Sequence, residues 1–479
     1  MDHFSRFVSF HTASTAPGSV TFRQTMRWLK VAIICLLLLV VGLFIFVISH
    51  KPANASHDPL LSPNSDIASN SSAWTLYDRD PNHLWNRLYR ALYQRVTTDG
   101  KEYGYDELDP LLWWQTKYLL TNPANRQAST VLDEFLSTHG ERAINDPLKR
   151  AILQRDLWAI FDWTTQSQDS SPEKLNLQNK LARVIRRLAL SPEDISRLSN
   201  TYKRATESKA FAPAYDSNRR EQSFLPPNLF DSKGPWAMLS ARGGSPIALS
   251  HVDFFSGRSV FLIFMRLPEG REATLKYLKT LSDFPKPWLP DPDNPGRVAP
   301  NPNLPEFPAG TQLALVREIV LIDNQGNLQP TNIIEDVQIR VHRAIPSEIP
   351  GALNTSRNEA RTALDVFEFK LSRSKLFADE SGGLRSVAAG EKEFALFRSH
   401  GIDFEQRESL QACASCHFQP GVHSMLSRGR MELGGMERVE VIPAWDLNYE
   451  MNETKGWKGR QYNWGLLQGL WRSQPEAIN

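Results

Sequence analysis

Val31 to Ile48 (VAIICLLLLVVGLFIFVI) runs for eighteen residues without a charged side chain. At 1.5 Å per residue such a helix, with its flanks, reaches across the hydrocarbon core of a bilayer. The run predicts a transmembrane helix over residues 31–49, and Arg6, Arg23, Arg27 and Lys30 before it, against only Lys51 close behind, predict the orientation. Residues 1–30 are then a cytoplasmic tail, and the bulk of the chain lies on the periplasmic or extracytoplasmic side of the inner (cytoplasmic) membrane. A cleaved signal peptide is the competing reading, because Ala53-Asn54-Ala55 has the small-x-small form of a cleavage site, although the segment before the apolar core is long for one. Both readings export the rest of the protein.

Beyond the run, residues 50–75 are rich in Ser, Asn and Pro and carry no apolar periodicity, which predicts a flexible linker. The pattern then turns helical. Leu84, Leu88 and Leu92 fall at i, i+4 and i+8, and Ile152, Leu153, Leu157, Ile160 and Phe161 form a similar apolar face. Ser171-Pro172-Glu173 and Ser191-Pro192-Glu193 each place a hydroxyl at an N-cap, a proline at the first helical position and an acid in the first turn. Residues 76–210 are therefore expected to form a helical domain.

From about residue 225 the texture changes. Ile247–Phe255, Ser259–Leu267, Gln312–Asp323 and Glu335–Arg343 are rich in β-branched and aromatic residues and read as strands, with Asn324-Gln325-Gly326 as a turn and Glu272–Leu281 as a helix between them. Pro285–Pro308 lacks too many amide donors to be a helix interior or a central strand, and reads as a surface loop. An α+β domain is expected over 225–375. The predicted fold class is α+β: an N-terminal transmembrane helix, a helical domain, a mixed strand/helix domain and a haem-bearing C-terminal region over 376–479.

The chemistry concentrates in that last region. The chain has three cysteines, too few for a disulfide framework, and two of them fall in Cys413-Ala414-Ser415-Cys416-His417. Two thiols at this spacing can each add to one vinyl group of a haem, and the adjacent histidine is then held beneath the iron. A dithiol/disulfide pair, or a zinc site of Cys413, Cys416, His417 and His423, are the alternatives. Zinc fits poorly, because His417 adjoins Cys416 and tetrahedral convergence is awkward.

This motif resembles the haem-attachment site of the c-type cytochromes, a resemblance confined to the last hundred residues or so. It departs from the commonest small-cytochrome pattern, where a glycine and an aromatic residue precede the first cysteine by about eight and four positions; here Glu405 and Ser409 stand there. The resemblance implies one covalent haem c, with Cys413, Cys416 and His417 as its attachment and axial residues. Met431, Met436 and Met451 are the distal candidates, since each has enough intervening chain to reach the opposite face of the macrocycle. Trp445, Trp457, Trp464, Leu466, Leu467 and Trp471 could line an apolar wall, and Arg428, Arg430 and Arg460 could meet the propionates. His139, His251, His342 and His400 are scattered singly. Only His400 is near enough in sequence to count as a further distal candidate.

The balance of 55 Lys+Arg against 53 Asp+Glu gives no overall field to draw in nucleic acid. There is no H-E-x-x-H, P-loop, G-x-S-x-G elbow or dinucleotide-binding turn. The reading is an electron-carrying, membrane-anchored, extracytoplasmic monohaem c-type cytochrome whose partners are the membrane and an unidentified redox protein. Its rival is a haem enzyme of peroxidase or oxidase type, or a haem sensor, with an open distal site.

Overall fold

The chain builds its helices from local signals that can be followed residue by residue. The structure is a computed structural model. It describes residues 75–93, 123–167, 169–241, 245–290, 298–345, 363–394 and 448–473, with shorter pieces at 95–96, 102–103, 106, 118–120, 406–408, 410, 417, 421–425 and 441–443.

Leu84–Tyr93 (α1) and Ala124–Ser137 (α2) precede the long helix Pro147–Gln166 (α3). In α3 the Asp146 side chain accepts from the amides of Leu148 and Lys149, and Pro147 fills a position whose amide needs no partner. Ser171 caps Pro172–Leu188 (α4) and Ser191 caps Pro192–Ser196 (α5) through their hydroxyls, as the Ser-Pro-Glu triplets predict. Asn200 caps Thr201–Glu207 (α6).

A seven-stranded sheet follows: Ala237–Ala241 (β1), Ser259–Arg266 (β2), Gln312–Ile322 (β3), Leu328–His342 (β4), Leu364–Leu371 (β5), Leu384–Ser386 (β6) and Val441–Pro443 (β7). Its order is β6-β5-β4-β3-β2-β1-β7, with every pairing antiparallel. The β3–β4 hairpin closes as its sequence predicts. Asp323 Oδ1 accepts from the amides of Gln325 (2.9 Å) and Asn327 (2.8 Å), and Gly326 takes the left-handed conformation, φ +85°, that the turn requires.

Between strands lie Leu249–Phe254 (α7) and Arg271–Asp283 (α8); Arg373–Phe377 (α9), Tyr449–Gly459 (α10) and Tyr462–Arg472 (α11) complete the described helices discussed below. Ile247–Phe255, expected as a strand, is instead centred on α7. Ala248, Val252 and Phe255 are its buried positions, at i, i+4 and i+7, so a helical period carries the burial. The proline run contains a small two-stranded pair, Trp288–Pro290 with Val298–Pro300.

Side chains alternate across the sheet. Val260, Leu262, Phe264, Val316, Val337, Ile339 and Phe369 join the main core with residues of α1 to α6 and with Leu467 and Trp471 of α11. On the other face, Met265 and Leu313 pack with Leu278 and Leu281 of α8 and with Val422, while Phe261 packs with Val252 of α7 and with Phe255 at its C-terminal cap.

The expected fold class is corrected in two respects. The helical, mixed and C-terminal segments are not separate bodies: residues 70–479 form one compact unit, the main core runs from Leu76 to Trp471, and β7 completes the sheet edge beside β1. The helices before residue 210 pack on one another and on the sheet in one continuous core. Moreover, among the described residues no helix is long and apolar enough to cross a membrane. The longest, α3, carries Lys149, Arg150, Arg155, Asp156 and Asp162. The predicted span 31–49, with the tail before it and most of the linker after it, lies outside the described residues.

Candidate functional site

The outer face of β2, β3 and β4 is apolar in its middle, with an arginine towards each end. Phe261 stands opposite Arg317 and Ile263 opposite Leu315, and Leu313 is opposite Arg340 in the next pairing. Helix α7 lies over the apolar part, with Trp457 of α10 beside it. Arg317 forms an ion pair with Glu335 (3.1 Å) and sets its guanidinium over the Phe255 ring at 4.3 Å.

Two histidines distant in sequence, His251 and His417, meet here. His251 projects from α7, its ring 5.3 Å from that of Phe261. The His417 ring lies 6.3 Å from the His251 ring, centre to centre, with the planes only 9° apart. Both imidazoles are held neutral. Burial lowers His251 to about 4, helped by the positive charges of Arg340 and Arg317. Burial likewise lowers His417 to about 3, with Arg340 and His251 adding to the effect and the bond to Ser424 opposing it.

The tautomer of His417 follows from its partner. Its Nδ1 is 2.7 Å from the carbonyl oxygen of Ser424, which can only accept, so Nδ1 carries the proton and Nε2 keeps its lone pair. That carbonyl also accepts from Arg340 Nη1 at 3.2 Å. The Ser424 hydroxyl donates to the Gly421 carbonyl (2.9 Å) and lies 3.4 Å from His342 Nε2. Ser424 therefore sits in a tight turn, Gly421–Ser424, tied to β4 by two side chains.

Glu306 holds the start of that turn. Its Oε1 accepts from the amides of Val422 (2.7 Å) and Phe307 (3.0 Å), and burial raises its carboxyl to about 7 against these bonds. Gly421 has φ +66°, and a Cβ there would run into the Glu306 carboxylate. Only glycine satisfies both conditions.

Of the residues picked out from the sequence, His417 is at this site. Cys413, Cys416, Met431, Met436, His400, Trp445, Arg428 and Arg430 lie outside the described residues. Met451, on α10, is 5% exposed and packs in the main core, a cluster different from those around the histidines. Trp464 and Trp471 also belong to that main core, and only Trp457 borders α7. His251, set aside among the scattered histidines, is the residue sequence reasoning missed. The helical spacing of Ala248, Val252 and Phe255 could have placed it on a short helix, but no sequence signal joins it to His417.

Among the described residues no group of three or more His, Cys, Asp or Glu side chains is placed to hold a metal ion. A haem asks less of the protein, since the macrocycle supplies four nitrogens and the chain at most two axial ligands. A neutral imidazole whose Nδ1–H is fixed by a carbonyl fits the first of these. A cavity of about 550 Å³, lined by residues including Trp163, Asp253, Phe254, Trp457 and Tyr462, opens beside α7, but neither His251 nor His417 lines it. No protein-family model, no curated protein and no solved structure matches this chain.

Proposed function

We propose that this protein is an exported c-type cytochrome that carries single electrons on one haem attached through Cys413 and Cys416, with His417 as an axial ligand. The C-x-x-C-H motif supports attachment. The observation that carries the reading is the His417 Nδ1–H bond to Ser424, which leaves Nε2 as a neutral donor of the kind a haem iron takes. The basic-flanked apolar run at 31–48 supports export to the outer side of the cytoplasmic membrane, where haem c attachment takes place.

A haem bound there supplies a one-electron iron couple. The chain's own residues do the rest. Ser424, anchored through Arg340 and the Gly421–Ser424 turn, orients the imidazole and strengthens it as a base. Arg340 is a positive charge close to both histidines, suited to a propionate or to favouring the reduced iron. The apolar side chains of α7 and β2 keep water from that face.

The test is expression with cytochrome c maturation machinery, followed by acid extraction of free haem under denaturing conditions and an optical spectrum of the chain. The expected result is colour that stays with the wild type and is absent from the Cys413→Ala/Cys416→Ala variant. A wild-type chain that carries no haem refutes the proposal.

A further inference from the structure

We propose that His251 is the second axial ligand of this haem, so that the iron is bis-histidine coordinated and closed to exogenous ligands; the inference rests on the haem reading above and adds to it the ligand on the opposite face. An imidazole nitrogen binds a first-row metal at about 2.0–2.1 Å and lies about 1.1 Å from its own ring centre, so two axial imidazoles across one iron have centres about 6.2–6.4 Å apart. His251 and His417 are 6.3 Å apart. Parallel rings in face contact are separated by roughly one van der Waals thickness, and five-membered rings 6.3 Å apart at that thickness would barely overlap. Ring stacking therefore gives little reason for the pairing, whereas ligation of one atom between them gives a direct one.

Two further features agree. His417 has its Nδ1 turned to Ser424, so the nitrogen left for a metal is the other one. His251 sits on α7, which Val252 and Phe255 fix against the sheet, so the second ligand belongs to a packed element. Met451 is spent on core packing.

The 9° angle between the planes makes the inference sharper. Parallel axial imidazoles split the iron d orbitals rhombically, so a low-spin ferric protein should give an electron paramagnetic resonance spectrum with three resolved g values. Perpendicular planes would give a single large one. The ferric wild type should lack the weak red absorption of an iron–methionine sulfur bond, and the ferrous form should bind carbon monoxide slowly.

The decisive comparison uses full-length, haem-loaded wild type, His251→Ala, His251→Met and the triple variant Met431→Leu/Met436→Leu/Met451→Leu. His251→Ala should lose the low-spin signal, bind carbon monoxide rapidly and regain the low-spin signal on addition of imidazole, a rescue that a purely structural histidine would not show. His251→Met guards against a folding defect in the alanine variant, and should gain the iron–sulfur absorption with a higher reduction potential. The triple methionine variant should keep the wild-type spectrum. A His251→Ala protein that keeps its low-spin signal, or a triple variant that loses it, overturns this inference and leaves haem attachment standing. Absence of haem from the wild type overturns both.

Discussion

Asp162→Asn should be among the most damaging single changes away from the histidine site. Asp162 Oδ2 accepts from Arg258 Nη1 at 2.7 Å and from Lys458 Nζ at 2.9 Å, and all three side chains are 5% exposed or less. One carboxylate thus joins α3, the approach to β2, and α10. Removing one member of a buried ion pair costs about 3–5 kcal/mol, and here two cations lose their shared anion, so a loss near the top of that range, about 5 kcal/mol, is expected at pH 6. The loss should depend on pH in a fixed direction. Burial lowers Lys458 to about 8, with Asp162 opposing the fall. Because the folded pKa lies below the unfolded one, the folded state binds fewer protons between them, and stability rises with pH across that window. Without Asp162 the window opens at lower pH. Each further unit of depression removes about 1.4 kcal/mol from the difference between the two proteins by pH 9. Urea unfolding followed by tryptophan fluorescence at pH 6 and pH 9 measures both quantities, and adding Lys458→Met should recover part of the loss. A destabilisation under about 1 kcal/mol, or one that grows from pH 6 to pH 9, would refute the reasoning.

Gly421→Ala should cost about 1–2 kcal/mol for the left-handed backbone alone, and more once Glu306 is displaced from the Val422 amide. Thermal unfolding should show the loss. Burial raises Glu450 to about 7 and Glu318 to about 8, so their neutral forms are favoured on folding. The stability they contribute is complete below pH 4.5 and falls as pH rises through 7 to 8, by up to about 3 kcal/mol for Glu450 and about 5 kcal/mol for Glu318. Glu318→Gln should flatten that decline in melting temperature, and an unchanged slope would count against it.

The parts legible in the sequence are those whose physics is local. Ser171 and Ser191 announce helix starts because the hydroxyl reaches an amide three residues away, and Asp323 announces the hairpin because it bonds amides two and four residues on. The segment around His251 misleads for a related reason. Its aromatic and β-branched composition favours a strand, while the burial at 248, 252 and 255 follows a helical period that emerges only when the sheet supplies a surface to cover. Leu364–Leu371 hides its strand character behind Asp365, Glu368 and Lys370; Arg220 and Arg343 answer Asp365, and Lys370 pairs with Glu368 along the strand.

The same distinction explains why the helices and sheet read as separate domains yet form one. In α3, the polar positions Arg155, Asp156 and Asp162 look like a solvated stripe until their partners are known: Glu335 on β4, Arg373 on α9, and Arg258 with Lys458. Pairs buried this completely add little net stability over an apolar replacement, but any other docking of α3 would leave charges unpaired in the interior at a cost of several kcal/mol each. They fix where the helices sit on the sheet. That placement in turn fixes the candidate site, because α10 is held by Lys458 on one side, while its neighbour Trp457 packs beside α7, the helix that presents His251. A five-residue motif is legible as it stands in the sequence. That His251 comes to lie beside His417 depends on ion pairs between residues hundreds of positions apart, and only the folded chain reveals it.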